Sequence, residues 1–165
     1  MQVQIIEKDD YDRIFEVVKN LGKKKLNIGL PPKAGGRLLM ILTIQEHGSP
    51  LLRIPARPVV RPALASSQAR EEIASAMLSA AEAAWNGDEP GMRSALEAAG
   101  KAGADAIRAY IDSGALAPNS PVTVSGGWIW NRAARKAVHV PGKGSNRPLV
   151  DTGALYGAFD YELEE

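Results

Sequence analysis

One carboxylate in this sequence sits in a recognised catalytic frame. In Leu149-Val150-Asp151-Thr152-Gly153, two apolar residues precede Asp-Thr-Gly, the setting in which acid proteases hold their reactive aspartate. That chemistry needs two carboxylates sharing one proton, so that one acts as base while the other acts as acid. A chain with one such motif must dimerise to obtain the second. It must also build strands and a flap after the motif, and here only Thr152 to Glu165 remain, enough for a single strand. The alternative is a tight turn: Asp151 accepts from backbone N–H groups that follow, Thr152 and Gly153 shape the bend, and Leu155 anchors it. The turn is the expected role, with an Asp151 protease kept as a remote alternative.

Other candidate chemistry is sparse. His47 and His139 stand far apart, and neither has a nearby carboxylate partner suggesting a metal site. Gly142-Lys143-Gly144-Ser145 lacks the frame of a phosphate-binding loop and reads as a mobile polar loop. Neither Ser113-Gly114 nor Ser125-Gly126 sits in a nucleophile elbow. The expectation is no catalytic residue, no metal and no cofactor.

The composition is that of one globular domain over residues 1–165, with a formal net charge of +1. A dedicated nucleic-acid binder normally carries a clear basic excess. The absence of cysteine removes disulfides and thiolate chemistry. No signal peptide or apolar run of the ~20 residues needed for a membrane span is visible.

Apolar periodicity then orders the chain. Val3 and Ile5 suggest a short strand. Asp9 is placed to cap a helix whose stripe, Tyr11, Ile14, Phe15, Val18 and Leu21, is expected to pack in the core, with Gly22 as its stop. Leu26, Ile28 and Leu30 read as a strand ended by Pro31-Pro32. Lys33–Arg37 is a flexible turn, and Leu38–Gly48 leans towards helix. Prolines at 50, 55, 58 and 62 fix an extended segment, with Pro62 opening the next helix. Two long helices follow. The first runs from about Ala63 to Asn86, with Ile73, Met77, Ala81 and Trp85 as its apolar edge. The second begins near Asp88-Glu89 and ends near Gly114. Its small residues Ala95, Ala99 and Gly103 allow a neighbouring helix to approach closely, whether by internal packing or across a subunit interface, and the short connection between the two helices predicts an antiparallel hairpin. From Val122 the pattern turns to β: Val122, Val124, Trp128 and Trp130 as strand residues, Asn131–Lys136 as a turn, and Ala137–Val140 as the return strand. At least one of the two tryptophans is expected in the core, against the alternative of a partner-binding arm within 122–147. A final strand holds Phe159, Tyr161 and Leu163 on one side.

Three stretches together carry a resemblance. Ile54-Pro-Ala-Arg-Pro-Val-Val-Arg-Pro-Ala-Leu64, Pro118-Asn-Ser-Pro-Val-Thr-Val124 and Gly142 to Leu155, followed by a short strand, resemble the neck or tail-completion proteins of long-tailed bacteriophages, from about His47 to the C-terminus. The resemblance implies an α+β subunit: two long helices on a small antiparallel sheet, with an extended proline-rich segment and a β-hairpin arm. It implies a virion protein assembled in the bacterial host cytoplasm, forming a ring, six-fold or a multiple of six, at the head-to-tail junction. Its neighbours would be head-connector and tail proteins, with genomic DNA passing through unread and no membrane involved. It implies no catalysis. Closing such a ring needs pre-shaped contact segments, because ordering a residue costs ~1–2 kcal/mol. The expected interface is Arg53, Ile54, Arg57, Val59, Val60 and Arg61, with Trp128, Trp130 and Lys143 as partner contacts. The arginines would reach a neighbour's Glu71 or Glu72. A small nucleic-acid-binding module using Lys23–Lys25 and Arg132, Arg135 and Lys136 is the alternative.

Overall fold

The computed structural model describes residues 8–52, 54–131, 134–150 and 152–164, without side-chain detail for 8–10 and 52. The first strand expected around Val3 and Ile5, and the residues Arg53, Arg132 and Asp151, lie outside these. The chain is α+β, with seven helices and two separate two-stranded antiparallel sheets among the described residues. It divides into two compact units.

The first unit takes in residues up to Pro31, Ala63–Ile107 and Phe159–Glu165. It holds α1 (Lys8–Lys23), β1 (Lys25–Gly29), α4 (Ser67–Trp85), most of α5 (Glu89–Asp112) and β4 (Asp160–Glu164). α1 starts at Lys8, so Asp9 falls inside its first turn instead of before it. β1 pairs with β4 from Lys25↔Glu164 to Gly29↔Asp160, joining chain ends that no local signal links. Ala80, Met92 and Leu96 form the core cluster, with Leu21, Ala83, Ala84, Ala95 and Leu163 packed round it. α4 and α5, joined by Asn86–Asp88, therefore fold back on each other as the expected hairpin.

Two expectations fail here for identifiable reasons. The stripe on α1 is not core: Tyr11, Ile14, Phe15 and Val18 are exposed, and the helix turns Val17 and Leu21 inward instead. On α4 the buried residues are Ala69 and Ala80, while Met77 and Trp85 face out. Ala80 receives Met92 and Leu96 of α5, and α1 packs along α4, so the larger apolar edge is left outside. Trp85 instead lies under the Arg13 guanidinium, 4.3 Å from its ring centre, and its carbonyl accepts from Arg13 Nη2 at 2.7 Å. The small residues of α5 serve both a helix and a sheet: Ala95 packs on the cluster that includes Ala80 of α4, while Gly100 and Gly103 face strands. A Cβ on Gly100 would stand 2.4 Å from the Tyr161 ring, and one on Gly103 would stand 2.7 Å from Ile28. Both neighbours belong to the β1–β4 pair.

The second unit takes in Pro32–Pro62 and Arg108–Ala158. Its elements are α2 (Gly36–His47), α6 (Pro121–Ser125), β2 (Gly126–Asn131), β3 (Lys136–Pro141) and α7 (Ala154–Ala158). α3 (Val60–Leu64) starts before Pro62, and a break at Ala65-Ser66 separates it from α4, so the long helix expected from Ala63 is really two. Val122 and Val124, expected in a strand, lie in α6. The Ser120-Pro121 pair overrides their β propensity: Ser120 caps the helix by accepting from Thr123 N–H, and Pro121 fits the first turn. β2 and β3 form the expected hairpin, in register from Gly126↔Pro141 to Asn131↔Lys136.

Candidate functional site

The site begins at the end of α2. Gly48, at φ 71°, turns the chain so that Ser49 and Ile54 exchange backbone bonds at 2.8 and 2.9 Å. A Cβ at position 48 would stand 2.8 Å from the Ala56 nitrogen, so glycine is required there. Two α2 side chains then hold the proline segment. Glu46 Oε1 accepts from the N–H groups of Val59 and Val60 at 2.8 and 2.9 Å, starting α3. Gln45 gives its carbonyl to Arg57 N–H and its side-chain oxygen to Arg57 Nη1.

Arg57 is only 7 % exposed. Its Nε donates to the Ala117 carbonyl at 2.7 Å and its Nη2 to the Pro118 carbonyl at 2.8 Å. Burial lowers its pKa from the ordinary guanidinium value. The residue expected to reach a neighbour's carboxylate therefore clamps its own chain across about sixty residues. Val59, expected to fill a neighbour's groove, is fully buried within the subunit. Of the remaining interface candidates, Ile54 and Val60 are half-buried and Arg61 is exposed, while Arg53 lies outside the described residues.

The third segment closes the arrangement. Lys143 and Gly144 N–H donate to the Thr123 and Val124 carbonyls, both at 3.0 Å, and Asn146 Oδ1 accepts from Asn119 N–H. Lys143 Nζ donates to the Arg147 and Val150 carbonyls at 2.7 and 2.9 Å, across Leu149 at φ 60°. The loop read as mobile is thus tied down, and Lys143 points at its own main chain. Gly142 is wedged against α6, where a Cβ would stand 2.4 Å from the Val124 carbonyl oxygen. Downstream, Thr152 Oγ1 accepts from Ala154 N–H, and Gly153 at φ 78° leads into α7, which packs on α2 and buries Leu155. That is the expected bend, though Asp151 itself lies outside the described residues.

Between these segments runs a cleft of about 880 Å³. Leu38, Ile41, Ile54, Pro55, Leu149 and Leu155 give it apolar walls, with Arg37 and Asn119 among its polar lining. Asn119 Nδ2 is buried and has no hydrogen-bond partner among the described residues. At one end of the unit Asp112 accepts from Tyr156 Oη at 2.6 Å and pairs with Arg147. The Tyr156 bond, then Arg147, holds the Asp112 carboxyl below its ordinary pKa, and the same bond raises that of Tyr156. No group of three acidic or histidine side chains among the described residues is placed to hold a metal ion, and no helix is long and apolar enough to cross a membrane.

The β2–β3 hairpin presents Trp128 and Trp130 at 71 % and 66 % exposure, with Ile129 exposed as well. The expectation of a core tryptophan is therefore not met: a two-stranded hairpin offers no second layer to cover its faces. The His139 ring stands opposite Trp128, edge-on at 5.5 Å between centres. Gln45, Glu46, Asp112 and Tyr156 were not singled out in the sequence. A carboxylate such as Glu46 near the end of an otherwise apolar helix was the one available hint.

No protein-family model, curated protein or solved structure matches the chain.

Proposed function

We propose that the chain is a structural subunit of the head-to-tail junction of a long-tailed bacteriophage, a neck or tail-completion protein that assembles as a ring round the DNA channel. One observation carries the reading. The three motif stretches that resemble this group are bonded to one another: Arg57 of the first holds the Ala117-Pro118 carbonyls of the second, and Lys143, Gly144 and Asn146 of the third hold residues 119–124. The three stretches are thus parts of one hydrogen-bonded frame, which supports reading them together. The frame they build displays an aromatic hairpin that its own subunit leaves uncovered, as expected of a protein that works by contact. Its action is geometric: stiff segments meet neighbours, six or a multiple of six to a ring, and DNA passes without being read. The particle is put together in the bacterial cytoplasm and the protein stays in the virion.

Native mass spectrometry of the purified protein tests this with exposed residues, because Arg57 and Val59 are needed inside the subunit. Wild type is expected as a closed hexamer or multiple of six, and Arg61→Glu or Trp128→Ala with Trp130→Ala as smaller species with unchanged circular dichroism. Rings unaffected by all of these substitutions would place the interface elsewhere.

A second reading, a small nucleic-acid-binding module, is favoured by one feature. The segment from Gly126 to Pro141 contains Arg132, Arg135 and Lys136 and no acidic residue. Cations beside exposed indoles suit single-stranded nucleic acid, and such binding would weaken steeply with added salt.

A further inference from the structure

The α1 helix carries an apolar stripe that the subunit leaves uncovered. Tyr11, Ile14, Phe15 and Val18 are 60 %, 41 %, 66 % and 63 % exposed. Their spacing of three and four residues puts them on one face, beside the half-buried face of Val17 and Leu21. Single exposed apolar residues are ordinary on a protein surface, but a contiguous stripe of four large ones marks a contact site.

The rim of the stripe says what covers it. At about 100° per residue, Asp12 and Lys19 both fall on the rim away from Val17 and Leu21. Both are exposed, opposite in charge, and placed towards opposite ends of the stripe. A two-fold axis crossing the helix between Ile14 and Phe15 sets Tyr11 against a second copy's Val18 and Ile14 against its Phe15. An antiparallel pair brings like rims together, so Asp12 lies on the same edge of the contact as the second copy's Lys19, offset by about 3 Å along the helix and within reach of the lysine's long side chain, twice over. A parallel pair would bring unlike rims together and drive Asp12 and Lys19 towards the Val17–Leu21 side, which its own subunit already occupies. Lys19 now pairs with Glu16 at 3.2 Å, an exposed contact weak enough to exchange. Arg13 faces away from this rim, bonded at Trp85.

We infer that α1 is a self-association surface, on which two copies pair their helices antiparallel through Tyr11, Ile14, Phe15 and Val18, with two symmetric Asp12–Lys19 ion pairs fixing the direction. A two-fold contact cannot close a ring, so this interface is separate from the one that would build a neck, and it stands without that reading.

The cysteine-free sequence makes the direction testable. Tyr11→Cys and Val18→Cys full-length proteins, mixed under mild oxidation, should form a disulfide-linked dimer, whereas neither alone should. Linking by each variant alone, or no linking in the mixture, overturns the antiparallel pair. Sedimentation equilibrium gives the second arm. Wild type should have twice the mass of Phe15→Asp, whose helical signal stays intact: dimer against monomer where no ring forms, paired against single rings where one does. Asp12→Lys should weaken the dimer about tenfold, and Asp12→Lys combined with Lys19→Asp should restore it. A Phe15→Asp protein that still pairs through this contact, or a charge swap that fails to rescue, overturns the inference. Rings that form without α1 cross-linking would overturn it while leaving the neck reading intact.

Discussion

Arg57 concentrates the residue-scale account. Its buried guanidinium meets three oxygens from two distant segments, so removing it leaves those acceptors without donors. Arg57→Met should destabilise the protein by about 2–4 kcal/mol in urea unfolding, through lost charge-assisted bonds and stranded carbonyls. Arg57→Lys should recover little of this, since an ammonium cannot span the same fork. Nothing local in Ile54-Pro55-Ala56-Arg57-Pro58 could have shown this, because the two carbonyl acceptors lie about sixty residues away. Asp112 offers a pH test. Its folded pKa is depressed below the unfolded value of about 3.9. Its contribution to stability is therefore present above that value and lost as pH falls through the folded pKa. Tyr156 is shifted the other way, so its contribution is present below its unfolded pKa of about 10 and lost as pH rises through the folded one. Tyr156→Phe should move the Asp112 titration, followed by carboxyl NMR, back up towards the ordinary aspartate range. An unmoved titration would mean that Arg147 alone sets it.

At the scale of elements, periodicity and capping signals were largely sufficient to place helices and strands, and insufficient to say which face meets what. α1, α5, β1, β4 and the β2–β3 hairpin stand close to where the apolar pattern puts them. The β1–β4 pairing was not legible, because strand partners are chosen by tertiary packing. Nor was the exposure of the α1 stripe, since an amphipathic pattern reports a buried face without saying in which molecule it is buried. Of the small residues on α5, Ala95 meets a helix as read, whereas Gly103, and Gly100 which was not singled out, make room for a sheet. Gly100→Ala would gain about 1 kcal/mol of helix propensity but set a methyl against the base of the Tyr161 side chain, near its own backbone. The clash should win, for a net loss of about 1–3 kcal/mol by thermal unfolding. A more stable protein would mean that β4 moves freely away from α5. Ser120→Ala removes the α6 cap and should cost about 1 kcal/mol.

For the whole molecule, the α+β class was readable from residue order. The three proline- and glycine-rich stretches were visible together only as a resemblance, and their hydrogen bonds join them into one frame. Lys143→Met should separate these levels. It loosens the 142–150 loop, which lines the cleft, while leaving the β2–β3 hairpin residues unchanged. Faster amide exchange confined to residues 142–150 is expected; exchange unchanged there would show that the loop is held without the ammonium. The central claim, that this chain serves as a structural collar between head and tail, is tested most directly by electron microscopy of assembled particles decorated with Fab fragments against it. Label at the junction of head and tail, in copies matching six or a multiple of six, is the predicted result. Particles that carry label elsewhere, or none at all, would contradict it.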